Sequence, residues 1–175
     1  WWTARAPPPW SSVREQHRPT VCAASYQGSM GSDSPPESFR LLFVCSGNTC
    51  RSPLATALTE RELVRLGWRV EVRSAGVSAV PGEPASDGSL RAGARHGLDL
   101  SGHRSRPVDD ELLGWADLIL VMSPGHLLRL AELGIVGKAA VLDAFAQGEE
   151  GSGKGADVPD PFGGDDRDYE GVYRT

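Results

Sequence analysis

The sequence has few cysteines and no long apolar run. Its 175 residues include three cysteines (Cys22, Cys45 and Cys50), too few for a disulfide framework and without the spacing of zinc ligands. No segment is long and apolar enough to span a membrane. We therefore expect a cytoplasmic protein with reduced thiols, no bound metal and no membrane partner.

The sequence also contains fewer basic than acidic residues. Lys and Arg number 18 against 23 Asp and Glu, which gives a formal net charge of -5. Proteins that bind nucleic acid through charge usually carry a basic surface, so we expect no nucleic-acid partner. The chain length fits one domain of ordinary size.

The beginning of the sequence differs in composition from the rest. The first 39 residues hold six of the thirteen prolines and three of the five tryptophans, without apolar periodicity. Such a segment has little means of burying a core. We expect residues 1–38 to be a disordered or non-native leader, with Met30 as an alternative start, and residues 39–175 to form the folded domain.

Strand and helix patterns alternate along the predicted domain. Short apolar runs predict strands, and apolar residues at helical spacing before a glycine predict helices. This alternation indicates an α/β fold, a three-layer sandwich in which a four-stranded parallel sheet is flanked by helices. The strands are predicted at 40–44, 68–74, 116–122 and 138–142, and the helices at 53–66, 84–97 and 124–133.

The loop after the first predicted strand carries the strongest chemical signal. The strand ends at Cys45, a glycine-containing loop follows, and Ser52 and Pro53 begin a helix. Such a loop directs backbone N–H groups and a helix N-terminus toward one point, which makes an anion site. Five residues separate Cys45 from Arg51. An arginine can bind a phosphoryl group while a thiolate attacks phosphorus, so the C-x5-R loop is a candidate phosphate cradle with its own nucleophile.

A second candidate loop, residues 148–155, resembles the phosphate loop of nucleotide-binding proteins. Its last position is Gly155, where that motif requires a serine or threonine to hold magnesium. No helical pattern follows it. We therefore reject the nucleotide-binding interpretation and expect a solvated surface insertion.

Asp160 and Pro161 are the candidate acid segment. A thiolate nucleophile needs an acid that protonates the departing atom. Asp160 follows the last predicted strand, and its loop therefore lies at the same sheet edge as Cys45. Three neighbouring carboxylates suit the capping of a following helix better. They are Asp165, Asp166 and Asp168.

The two segments together resemble the low-molecular-weight protein-tyrosine phosphatase family. The resemblance rests on Cys45-Ser-Gly-Asn-Thr-Cys-Arg51-Ser-Pro with the distal Asp160-Pro-Phe, and it runs from about Phe39 to the end of the chain. Segments 74–76, 97–106 and 116–122 also resemble the family. The paired motifs are a specific signal, whereas C-x5-R alone is a weak one.

The resemblance implies a two-step displacement without metal or cofactor on a phosphorylated protein. Cys45 would attack phosphorus and form a phosphocysteine, while Asp160 would protonate the leaving group and then activate water. Arg51 and the loop amides would hold the phosphoryl oxygens. Ser52 would donate to the Cys45 sulfur, and Asn48 would brace the loop. The implied phosphate-binding residues are Ser46, Gly47, Asn48, Thr49, Cys50 and Ser52.

The resemblance also bears on redox protection and substrate choice. Cys50 would form a reversible disulfide with oxidised Cys45, and inert packing is the alternative. Thr49 stands where many tyrosine-specific relatives have isoleucine, and it resembles the branch that hydrolyses phosphoarginine. Phe162 would be an aromatic wall for either substrate, and Gly163 removes a second aromatic. We take phosphotyrosine as the first substrate and phosphoarginine as the second.

Two other functions share these features. Thiol-dependent arsenate reductases use the same scaffold, but they relay a disulfide through further cysteines, and none follows Cys50. A non-catalytic phosphate-binding module is the other alternative. We also expect a C-terminal helix that is truncated relative to the family, and a monomer or weak dimer.

Overall fold

A four-stranded parallel sheet forms the centre of the domain. The computed structural model describes residues 38–135, 137–148 and 155–175. The strands lie in the order β2-β1-β3-β4, and each neighbouring pair is parallel. The strands are β1 (Phe39–Cys45), β2 (Val70–Gly76), β3 (Leu118–Val121) and β4 (Ala139–Val141).

Helices connect and follow these strands. Two of them, α3 and α5, were not predicted, because six and five residues contain too little periodicity to stand out in the sequence. In the described residues the helices are α1 (Arg51–Leu66), α2 (Asp87–Arg95), α3 (Asp110–Trp115), α4 (Pro124–Glu132), α5 (Leu142–Ala146) and α6 (Asp166–Arg174).

Alternate residues of β1 point to opposite faces of the sheet, and helices cover both faces. Leu41, Phe43 and Cys45 belong to an apolar cluster that includes residues of α1, α2 and α6. Leu42 and Val44 belong to a second cluster with residues of α3, α4 and α5. The predicted three-layer sandwich with a four-stranded parallel sheet is therefore confirmed.

Capping side chains decide where α2 and α6 begin. The predicted helix 84–97 starts later, at Asp87, because Ser86 Oγ accepts a hydrogen bond from Ser89 N and caps α2. At α6, Asp165 and Asp168 form a capping box, in which each side chain accepts from the other residue's backbone N–H. The cap predicted for this helix is therefore present.

Asp166 differs from the other two predicted capping residues. Its carboxylate accepts hydrogen bonds from Arg91 and Arg95 of α2, both at 2.7 Å. Tyr169 and Val172 of α6 are buried in the core. The last helix is thus joined to α2 by ion pairs, and its buried side chains belong to the apolar cluster on one side of the sheet.

Two sequence predictions concern segments outside the described residues. They are the leader, of which only Ser38 is described, and the greater part of the rejected loop 148–155. In the part of the chain that the structure describes, no helix has the length and apolar character needed to cross a membrane.

Candidate active site

The phosphate loop, residues 45–52, joins the end of β1 to the first turn of α1. Because β1 lies between β2 and β3, the loop leaves the middle of the sheet at its carboxyl edge. Gly76, at the end of β2, packs directly against it. A Cβ on Gly76 would collide with the Ser46 carbonyl oxygen and lie 2.8 Å from Asn48 N. Only glycine at this position allows the loop to lie so close to β2.

The Cys45 thiol is buried within the loop. Its sulfur lies 3.0 Å from Ser52 Oγ and accepts a hydrogen bond from Asn48 N at 3.3 Å. Ser52 Oγ accepts in turn from Asn48 Nδ2 at 2.9 Å, and the acceptors within reach of its own proton are the Cys45 sulfur at 3.0 Å and Ala75 O at 3.5 Å. Both groups can therefore stabilise negative charge on Cys45.

Asn48 connects the loop to the rest of the domain. It is fully buried and has a left-handed backbone with φ of 55°. Its Nδ2 also donates to Ser74 Oγ at 2.9 Å, and its Oδ1 accepts from Arg106 N at 2.9 Å. The side chain thus joins the loop to β2 and to the segment before α3.

His103 holds the same part of the loop through the backbone. Its Nε2 lies 2.6 Å from the Asn48 carbonyl oxygen, which can only accept. Burial lowers the pKa of His103, against the opposing effect of this hydrogen bond. A neutral ring with the proton on Nε2 satisfies the contact. Sequence reasoning missed this role, because 55 residues separate the two partners.

Arg51 and Asp160 meet at the open side of the loop. Arg51 is buried, and its Nη2 donates to Asp160 Oδ2 at 2.6 Å and to Ser46 Oγ at 3.1 Å. Its Nη1 donates to Val158 O at 3.3 Å. Arg51 Nε is one of two buried side-chain polar atoms without a partner among the described residues. A buried donor of this kind suits a further acceptor such as a phosphoryl oxygen.

The Asp160 side chain is half exposed, unlike its arginine partner. Its Oδ1 accepts a hydrogen bond from Phe162 N at 3.2 Å, which fixes the carboxylate within its own turn. The exposed position leaves room for a leaving group to approach.

Cys50 lies under the loop, next to α2 and α6. Its sulfur donates to Ser86 Oγ at 3.3 Å and lies 3.8 Å from the Tyr169 hydroxyl. Burial raises the pKa of Tyr169, as do its contacts with Cys50. Both Cys45 and Cys50 are free thiols.

A pocket of about 290 Å³ opens above the loop. Phe162 is 83% exposed at its rim, and Thr49 lies on its wall. Of the predicted site residues, only Asn48 and Ser52 do not line it, and both are fully buried. Ser78 is an additional wall residue that the sequence did not indicate. The lining residues are Cys45, Ser46, Gly47, Thr49, Cys50, Arg51, Ser78, Asp160 and Phe162.

A larger open cleft of about 500 Å³ lies between α2 and α6. Its charged groups pair with each other, as Asp166 does with Arg95 and Glu170 with His96. The cleft has none of the loop's nucleophilic groups. Among the described residues, no group of three His, Cys, Asp or Glu side chains is arranged to hold a metal ion.

Known proteins with the same features were found by sequence and by structure. The model of the low molecular weight phosphotyrosine protein phosphatase family matches residues 40–175. A protein-arginine-phosphatase of Geobacillus stearothermophilus is 39% identical over 128 residues, which cover 72% of this chain and 80% of that protein. The low molecular weight protein-tyrosine-phosphatase Wzb of Escherichia coli is 34% identical over 133 residues, or 76% and 84% of the two chains. A solved YwlE arginine phosphatase mutant with a phosphorylated active-site serine has a TM-score of 0.72 at 36% identity, over 78% and 87% of the two chains.

Proposed function

Because this chain belongs to the low molecular weight phosphotyrosine protein phosphatase family, we propose that it removes phosphoryl groups from protein side chains through a phosphocysteine at Cys45. The supporting observation is that Cys45, Arg51 and Asp160 line one pocket above an anion-binding loop. A nucleophile, a fixed cation and a carboxyl group are the groups that phosphoryl transfer to a thiol requires.

In the first step, the Cys45 sulfur attacks phosphorus, and the bond from phosphorus to the leaving atom breaks. Ser52 Oγ and Asn48 N stabilise the sulfur's charge before the attack. A phosphoryl oxygen that binds Arg51 competes with Asp160 for Nη2, where the carboxylate now lies at 2.6 Å. Substrate binding thereby separates Asp160 from Arg51, and the freed carboxylate takes up the proton that the Cys45 thiol gives up and passes it to the leaving atom.

In the second step, a water molecule attacks the phosphorus of the phosphocysteine. Asp160, deprotonated by the first step, accepts a proton from this water as the S–P bond breaks. The thiolate of Cys45 and inorganic phosphate are the products. Arg51 and the loop N–H groups hold the phosphoryl oxygens in both steps, so no metal ion is required by this scheme.

The substrate is best assigned as phosphoarginine on a protein, with phosphotyrosine second. Among the described residues, the side-chain contact of the Thr49 hydroxyl is with Cys50 Sγ at 3.6 Å, so the hydroxyl can accept a hydrogen bond from a guanidinium N–H. A guanidinium plane can also stack on the exposed ring of Phe162. Relatives named as arginine phosphatases support this order. Phosphotyrosine, placed first in the sequence analysis, is retained because its ring can also stack on Phe162 and because other relatives are named as tyrosine phosphatases.

A comparison of two phosphopeptides that differ only in the phosphorylated residue tests the proposal. In excess EDTA we expect hydrolysis of both, with a higher kcat/KM for phosphoarginine. Cys45→Ser should abolish both activities. Activity that survives in Cys45→Ser, or that needs an added divalent metal, would contradict the mechanism.

Three variants at one position isolate the contribution of the Thr49 hydroxyl. Thr49→Val removes the hydroxyl at nearly constant volume, and Thr49→Ile restores the larger side chain of many tyrosine-specific relatives. Both should move the ratio of the two kcat/KM values toward phosphotyrosine by about tenfold, the value of one hydrogen bond. Thr49→Ser keeps the hydroxyl and is the matched control. If all three variants leave the ratio unchanged, Thr49 does not select the substrate.

A further inference from the structure

A buried histidine outside the phosphate loop contacts a side chain inside it. His126 lies in the first turn of α4, and its ring is hydrogen-bonded at both nitrogens. Nδ1 lies 2.8 Å from Ser123 Oγ, and Nε2 lies 2.9 Å from Ser46 Oγ. The residue is 7% exposed. The mechanism described above assigns no role to this ring.

Ser46 is the link between His126 and the phosphate site. Its hydroxyl oxygen accepts from Arg51 Nη2 at 3.1 Å, and the residue lines the pocket beside Cys45. Arg51 can only donate, so the direction of the hydrogen bond to His126 decides where the Ser46 proton points. If Nε2 is unprotonated, Ser46 donates to it. If Nε2 carries the proton, Ser46 accepts from the ring, and its own proton is free to point into the pocket.

The neighbouring groups favour a neutral ring. Burial lowers the pKa of His126, and the positive charge of Arg51 lowers it further, against the opposing charges of Asp160 and Asp157. A neutral imidazole carries one proton on one nitrogen. The Ser123 hydroxyl can serve either form, because it can donate to Nδ1 or accept from it.

We propose that His126 is a positioning residue for the phosphatase reaction: its Nε2–H holds the Ser46 oxygen against Arg51, so that the Ser46 proton is directed to a phosphoryl oxygen in the pocket. A bound phosphoryl group favours the His126 tautomer with the proton on Nε2, because it adds an acceptor for the Ser46 proton on the pocket side. Every partner is then satisfied in sequence: Ser123 donates to His126, the ring donates to Ser46, and Ser46 donates to the phosphoryl oxygen. The proposal rests on the proposed function only in its kinetic consequence, since binding of inorganic phosphate requires no turnover.

Two substitutions of His126 separate the two ring nitrogens. The amide nitrogen of glutamine can take the place of Nε2, whereas asparagine reaches only the place of Nδ1. We therefore expect His126→Gln to remain close to the wild type. His126→Asn should weaken binding of inorganic phosphate and lower kcat/KM, each by about tenfold, the value of one hydrogen bond to a charged group. Leu128→Ala, on the exposed side of the same helix, is the matched control.

The dependence on Ser46 is tested by combining substitutions. In a Ser46→Ala background, His126→Asn should cause no further loss of phosphate binding, because its effect passes through the missing hydroxyl. An equal loss in both backgrounds, or an unchanged phosphate affinity in folded His126→Asn, would overturn the proposal.

Nitrogen-15 NMR of the wild-type protein provides a test that needs no variant to fold. In saturating inorganic phosphate, the proton of His126 should lie on Nε2. A proton on Nδ1 would overturn the proposal, even if the enzyme is fully active. Conversely, a protein inactive on both phosphopeptides that still binds phosphate with Nε2 protonated would reject the proposed function and leave the positioning of Ser46 supported.

Discussion

Replacing Asn48 with alanine should destabilise the domain and its active site together. The side chain is fully buried and makes three hydrogen bonds, with Ser52 Oγ, Ser74 Oγ and Arg106 N, each at 2.9 Å. Alanine would remove all three and would also have to adopt the left-handed backbone at φ of 55°. Glycine would lose the same hydrogen bonds without that backbone strain.

The size of the effect follows from these contacts. The two bonds to serine hydroxyls contribute about 1 kcal/mol each, because the hydroxyls can find other partners. The Arg106 backbone N–H cannot turn toward another acceptor, so leaving it without the Asn48 Oδ1 acceptor costs about 1–3 kcal/mol. The left-handed backbone costs an alanine about 1–2 kcal/mol more. We therefore expect Asn48→Ala to lower the free energy of unfolding by about 4–7 kcal/mol, a large share of the roughly 5–15 kcal/mol of an ordinary domain.

Urea denaturation followed by circular dichroism measures this loss, and kcat/KM measured well below the transition reports the active site. Asn48→Gly should be more stable than Asn48→Ala, and both should lose activity because the Cys45 sulfur loses its fixed donors. Ser105→Ala is the control, since Ser105 is also buried and hydrogen-bonded, to Glu83 N and Val80 O, but does not contact the loop sulfur. It should lose stability without a comparable loss of activity. A loss of stability below about 1 kcal/mol in Asn48→Ala would refute the reasoning.

Three further predictions address packing, redox chemistry and pH. Gly76→Ala should lower activity more than tenfold, because the added Cβ would displace the loop. Gly102→Ala is the control, since a Cβ at that position would meet open space. Equal effects of the two substitutions would contradict the close packing of Gly76 against the loop. After peroxide treatment, dithiothreitol should restore the wild type but not Cys50→Ser, if Cys50 forms the proposed protective disulfide; equal recovery would exclude that role. The hydrogen bond from His96 lowers the pKa of Glu170. The ionised Glu170 carboxylate therefore stabilises the fold above the ordinary pKa of 4.5, and this stabilisation is lost as the pH falls below that value. Glu170→Gln should flatten the fall in Tm between about pH 5 and 3, and an unchanged profile would contradict this assignment.

The phosphate loop could be predicted from the sequence because its structure is local. A strand, a glycine-containing turn and a helix start follow each other within residues 39–53, and each has its own sequence signal. The pattern places Cys45 at the strand end, where it is found, and begins the helix at Ser52 and Pro53, whereas α1 begins slightly earlier, at Arg51. Predicting the position of Asp160 required one further inference, namely that the loops after parallel strands lie at the same carboxyl edge of the sheet.

The contacts that position the loop could not be predicted in this way. His126 and Tyr169 reach the loop across 80 and 119 residues of sequence, from positions with no signal of their own. Ser123 carries a visible capping signal before Pro124, but nothing in that signal shows that the helix begins next to Ser46. The order of the strands brings Ser123 and His126 to the loop, and the packing of α6 against α2 brings Tyr169 to it.

The order of the strands also explains why one loop can receive support from so many segments. The carboxyl ends of β2, β1 and β3 lie side by side, so the residues after each strand meet at one edge. Gly76 ends β2 and packs on the loop, while Ser123 begins the turn after β3 that brings His126 to Ser46. Moving β3 to the other edge of the sheet would leave every residue of the loop motif in place but remove the histidine from it. The motif therefore supplies the residues of the candidate anion site, whereas the orientation of their side chains depends on the topology of the whole sheet.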